Sequence, residues 1–129
     1  MQTFEIGITA EFESAHSLSG GFGPATRLHG HTYRVEVRAD ARDIDSTGTF
    51  YDIGRLRAEL SSVLELLHYR NLNEVAELAG TNTTAEAVAR YIFNKLAPVV
   101  RTGGVEGLKV TVWESSSSFA SYRESFESL

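Results

Sequence analysis

The chain has 129 residues, 42% of them hydrophobic and 22% charged, which is enough for one domain with a real core, spanning 1–129, and too little for two. A net charge of −5 with dispersed Lys and Arg argues against nucleic acid as a partner, and no apolar run reaches the length of a membrane span or the form of a signal peptide. With no cysteine, disulfides and thiolate chemistry are excluded, and a cytoplasmic protein is the expectation.

From Thr3 to Glu13 the residues alternate, with Phe4, Ile6, Ile8, Ala10 and Phe12 on one parity and Glu5, Thr9, Glu11 and Glu13 on the other, so a half-buried strand is predicted. Ser17–Arg27 is rich in Gly and Ser and reads as a loop. A second alternating strand runs from about Leu28 to Ala39, with Tyr33, Val35, Val37 and Ala39 on one face. The turn residues of Asp43–Gly48 predict a hairpin-like return into Phe50 and Tyr51. Asp52 is placed to cap a helix whose Ile53, Leu56, Leu60, Val63, Leu64 and Leu67 repeat at helical spacing. A second helix opens on a capping box from Thr83 to Glu86, carries the stripe Ala85, Val88, Ala89, Ile92, Phe93 and Leu96, and is expected to end at Pro98. Two strands close the chain, one around Leu108–Val112 and a weaker one from about Phe119 to Phe126. The order ββααββ predicts an α+β domain: a four-stranded antiparallel sheet with both helices on one face. Its open edges and uncovered face predict self-association.

Three of the four histidines, His16, His29 and His31, fall close together. His29 and His31 are two apart on a predicted strand and therefore point to one face, and a hairpin would carry His16 back beside them. Gly30 between them offers room for close backbone approach. Three neutral nitrogen donors with no fourth nearby suit a catalytic zinc site with an open position, and iron or manganese would also accept this set.

The runs FESAHSL, RLHGHTYRVEV, GTFYDIGRLR, TNTTAEAVARYIFNKL and VTVWES resemble, in order and over nearly the whole chain, the 6-pyruvoyl- and 6-carboxy-tetrahydropterin synthases. The resemblance implies the tunnelling fold, with subunits joining sheets into a barrel, commonly a trimer-based hexamer with active sites between subunits. It places His16, His29 and His31 at the zinc positions and Glu114 at the carboxylate that grips the pterin edge. Glu114 shares parity with Leu108, Val110 and Val112, and an amino-pyrimidinone edge offers a carboxylate two parallel N–H donors. Thr84 and Glu86 fall at the family's pterin-contacting helix start, where a capping box explains them equally well.

The sequence also departs from the synthases. Ala25 stands where their proton-abstracting cysteine is expected, and Gly20–Leu28 contains no acidic residue to replace it. The motif that holds their Asp-His pair reads LHYRNLN, putting His68 and Tyr69 at those places. The expectation is therefore a zinc-dependent lyase acting on the side chain of a dihydroneopterin-type substrate by elimination, cleavage or isomerisation. His68 would act as proton carrier, and Tyr69 would orient it or donate a proton. The alternative is a non-catalytic homologue that binds a pterin or purine-like ligand; a zinc hydrolase is more distant, since it leaves Glu114 unexplained.

Overall fold

The computed structural model describes residues 2–126, so residues 1 and 127–129 of the expected single domain lie outside it. β1 (Phe4–His16) and β2 (His29–Ala41) form a long antiparallel ladder, from Phe4 opposite Ala41 to His16 opposite His29. α1 (Ile53–Glu65) follows, then the short β3 (Arg70–Asn71), α2 (Ala85–Arg101), β4 (Gly107–Ser115) and β5 (Ser118–Ser125). The sheet order is β3-β1-β2-β4-β5. Both helices pack on one face. The alternation read from the sequence decides which: Ile8 and Phe12 of β1, Tyr33, Val35 and Val37 of β2, and Leu108, Val110 and Val112 of β4 are buried against Leu56, Leu60, Ile92, Phe93 and Leu96. Among the described residues no helix is long and apolar enough to cross a membrane.

The sheet is mixed and five-stranded rather than four-stranded and antiparallel. β3 pairs parallel to β1, Ser14 against Arg70 and Ala15 against Asn71. Two residues carry no alternation, and the strand is set instead by the chain reversal before it. Tyr69 adopts φ 54°, and its N–H donates to the Glu13 carbonyl at 2.7 Å.

Three smaller expectations are revised. Asp43–Gly48 closes as a turn, with the Asp45 N–H donating to Thr49 O and the Gly48 N–H to Asp45 O, but Phe50 and Tyr51 form no strand. Pro98 lies inside α2, which continues to Arg101; the carbonyl it leaves without a donor belongs to Asn94, on the exposed side where water can reach it. A Cβ built on Gly30 would meet the Ser14 carbonyl oxygen at an ordinary 3.7 Å, so no close approach demands glycine there.

Candidate metal centre and ligand cleft

The β1–β2 register assembles the three histidines. His16 stands opposite His29, His31 stands opposite Ser14, and all three project from the core-facing side at one end of the ladder. Their ring centroids are 4.5 Å (His16–His29), 5.1 Å (His16–His31) and 4.8 Å (His29–His31) apart. One ligand atom from each lies within 4.8 Å of the others.

Hydrogen bonds decide which nitrogen the rings of His16 and His29 offer. His16 Nδ1 is 2.7 Å from the Thr83 carbonyl oxygen, and His29 Nδ1 is 2.7 Å from that of Arg27. A carbonyl only accepts, so each Nδ1 carries the proton and each Nε2 keeps a free lone pair. His16 is 1% exposed and its Nε2 has no hydrogen-bond partner among the described residues. Such a buried, unpartnered nitrogen is costly by itself and would be satisfied by a cation held with its two neighbours. The donor set therefore fits a divalent metal with nitrogen preference.

Thr83 is a member of the site that the sequence did not reveal. The cap of α2 is Thr84, whose hydroxyl oxygen accepts from the Ala87 N–H at 3.2 Å, so the predicted box from Thr83 to Glu86 does not form. Thr83 is fully buried and turned toward His16. Moving the cap by one residue also frees Glu86 from a capping role, leaving it in the first helical turn, where a carboxylate is favoured by the helix dipole.

Thr84, Glu86 and Glu114 share one cleft of about 340 Å³ with Leu18, Phe22 and Phe119. Glu114 sits at a bulge between Trp113 and Ser115, where the β4–β5 register slips. A bulge re-aims the side chain it carries. The carboxylate is close enough to His16 and Tyr33 to act on both rings electrostatically. Ala25 sits on a 3₁₀ turn, Gly23–Thr26, in the loop that joins β1 to β2.

His68 and Tyr69 lie elsewhere. Tyr69 lines a second cleft of about 580 Å³ with Glu13, Ser14, Thr32 and Arg70, and this cleft meets the histidine triad at His31. His68 is exposed, and its Nδ1 accepts the Glu13 backbone N–H at 3.1 Å. The two rings lie against each other with centroids 3.9 Å apart. The Glu13 carboxylate beside the Tyr69 hydroxyl raises the pKa of that phenol.

Burial lowers the pKa of His16 from the ordinary 6.5, and the positive forms of His29 and His31 push the same way, against the opposing Thr83 carbonyl and Glu114 charge. The unfolded chain therefore takes up this proton at a higher pH than the folded one. In metal-free protein the stability contributed by neutral His16 is complete above about pH 6.5 and is lost as pH falls below it. The denaturation midpoint is expected to fall between pH 7.5 and pH 5.5, with the His16 ring carbons titrating below 6.5 by NMR. Titration of His16 at or above that value would contradict burial as the dominant effect.

A family model described as 6-pyruvoyl tetrahydropterin synthase matches residues 5–125. A 6-carboxy-5,6,7,8-tetrahydropterin synthase from Synechocystis is 36% identical over 118 residues, covering 86% of this chain and 86% of that protein. A putative 6-pyruvoyl tetrahydrobiopterin synthase from Caenorhabditis elegans is 34% identical, covering 74% of this chain and 68% of that one. Among solved structures, the 6-pyruvoyl tetrahydropterin synthase of Caenorhabditis elegans superposes with a TM-score of 0.84 at 30% identity, over 97% of this chain and 98% of its own.

Proposed function

The chain belongs to the 6-pyruvoyl tetrahydropterin synthase family, and from that membership we propose a zinc-dependent, pterin-synthase-like enzyme that acts on the side chain of a dihydroneopterin-type substrate. The reaction is an elimination, cleavage or isomerisation using proton-transfer groups other than the family's usual ones. The observation that carries the reading is the buried, unpartnered His16 Nε2, converging with His29 and His31 beside the cleft that holds Glu114.

In this reading Glu114 accepts the two parallel N–H groups of the amino-pyrimidinone edge, which fixes the ring and aims its side chain at the triad. Thr84 spends an oxygen lone pair on the Ala87 N–H and keeps its hydroxyl hydrogen to donate, and Glu86 lines the wall of the same cleft. A divalent ion held by His16, His29 and His31 would polarise a hydroxyl or carbonyl oxygen of the side chain and acidify the adjacent C–H. His68 carries protons. Its neutral ring holds the hydrogen on Nε2 while Nδ1 accepts the Glu13 amide, so taking a proton requires the ring to turn and release that amide. Tyr69, kept protonated beside the Glu13 carboxylate, is the donor.

Self-association into a trimer-based hexamer completes the proposal. β1 is unpaired by β3 except at Ser14 and Ala15, and β5 ends the other side of the sheet. Exposed Phe4, Ile44 and Ile53 line a groove of about 570 Å³ at the far end of β1. The cleft holding Tyr69 opens near this β1 edge, where a second copy would close it over a substrate bound by another subunit.

The test is incubation of zinc-loaded protein with dihydroneopterin triphosphate and analysis of the pterin products. Turnover is expected, and His68→Ala is expected to lower it by about 100-fold or more, the usual worth of a general acid–base group. Unchanged turnover in that variant removes the role assigned to His68. Tight pterin binding without conversion of any pterin tested would defeat the enzymatic reading.

A further inference from the structure

The chain reversal after α1 is clipped to the end of β1. Ser14 Oγ donates to the Leu67 carbonyl, the Tyr69 N–H donates to the Glu13 carbonyl at 2.7 Å, and the Glu13 N–H donates to His68 Nδ1 at 3.1 Å. The first two bonds are indifferent to pH near neutrality. The third ends on an imidazole nitrogen, which accepts only while it carries no proton. Glu13 is therefore held at both of its backbone groups, and one of the two holds is titratable.

The backbone restrained by this clip is strained. Tyr69 has φ 54°, a region that a residue with a β-carbon keeps only where its surroundings fix it. β3 follows at once, is two residues long and has its β1 pairing at Ser14 and Ala15. The Tyr69 ring is 75% exposed, lies against the His68 ring and lines the cleft that reaches His31. Leu67 and Leu72 on either side are fully buried, so the residues between them can loosen while the core stays intact.

We propose that His68 and Glu13 form a proton-operated latch: the neutral ring locks residues 68–71 to β1, and protonation releases the Glu13 amide, so that Tyr69 and its wall of the cleft become mobile. The charges around the ring set what the proton does. β1 brings the Glu13 carboxylate, which lies beside the Tyr69 hydroxyl, β2 brings His31 to the same cleft, and α1 ends on Glu65 just before the reversal. Arg70 follows on the same segment, and the cleft on the far side of Tyr69 carries Glu74 and the Glu77–Lys95 ion pair. In the protonated ring the Nδ1–H and the Glu13 N–H are two donors face to face. The ring leaves the amide for the carboxylate of the same residue and competes there with the Tyr69 hydroxyl.

Amide hydrogen exchange of zinc-loaded protein, followed by NMR, reads the latch, with each rate expressed as protection relative to an unstructured chain at the same pH. As pH is lowered through the range in which histidine side chains gain a proton, protection of the Glu13 amide is expected to fall about tenfold, the worth of one hydrogen bond, in step with titration of the His68 ring carbons. His68→Ala is expected to show the low value throughout. His68→Asn, whose amide oxygen supplies an acceptor that does not titrate, is expected to show the high value throughout. The side chain is exposed, so neither substitution disturbs the core. A fall that persists in His68→Asn would trace to another group, the metal centre included, and overturn the latch. Parent-like protection in His68→Ala at neutral pH would overturn it as well. The measurement involves neither pterin nor turnover, so failure of the latch and failure of the proposed reaction are read separately.

Discussion

Replacing His29 and His31 together with alanine is expected to remove metal from the protein while leaving the fold in place. Both rings are only partly buried, whereas His16 is sealed in the core beside Thr83, so the double variant deletes two ligands with little packing loss. Full zinc sites bind with roughly 10–16 kcal/mol, or about 3 kcal/mol per ligand, so two ligands account for about 6 kcal/mol and on the order of 10⁴-fold in affinity. The remaining His16 Nε2 cannot hold an ion alone. Metal analysis of protein purified in the presence of zinc is expected to show one equivalent per chain in the parent and none in the variant. Stoichiometric metal in the double variant would defeat the triad. Because the ligating imidazoles must be neutral, metal affinity should also weaken as the pH is lowered.

Glu114→Gln is expected to have the second-largest effect, at the step of ligand binding. Glutamine keeps the shape and one acceptor oxygen but presents an N–H₂ group to an edge that itself donates twice. One charge-assisted hydrogen bond is lost and a donor faces a donor, which costs about 3 kcal/mol, or about 100-fold in Kd. The fold should not suffer, because Glu114 is only partly buried and sits at a bulge outside the regular ladder. Neopterin binding to the zinc-loaded variant, measured beside the parent, checks this. Affinity within twofold of the parent would remove Glu114 from the ligand edge. Metal content should be unchanged, which separates this effect from that of the histidine variant.

Much of the architecture was legible because period-two and period-3.6 patterns are written into the chain. Ile8, Phe12, Val35, Val37, Leu108, Val110 and Val112 alternate on their strands and are buried, as are Leu56, Leu60, Ile92 and Phe93 on the helices. The Asp52 cap was legible for the same local reason, and its side chain accepts the Gly54 N–H at 2.8 Å. β3 was not: its two residues are held by an exchange with β1 distant in sequence, prepared by the unusual backbone of Tyr69. The cap at Thr84 rather than Thr83 was a choice between adjacent equals, decided when the Thr83 carbonyl was drawn to His16.

For the site, the His-x-His spacing put His29 and His31 on one face, and the alternation placed Glu114 on the core-facing side of its strand. The motifs also pointed to the family, since they run the length of the chain. Tertiary structure decided the rest: the register that sets His16 opposite His29, the carbonyls that leave the Nε2 of His16 and of His29 free, and the bulge that re-aims Glu114. It also placed Tyr69 in a different cleft from Glu114 and gave the His68 Nδ1 to the Glu13 amide. The physical reason is range. Periodicity and capping are interactions among neighbours along the chain and leave their mark in composition, whereas convergence at a site depends on strand register and loop closure, which no short stretch of residues encodes.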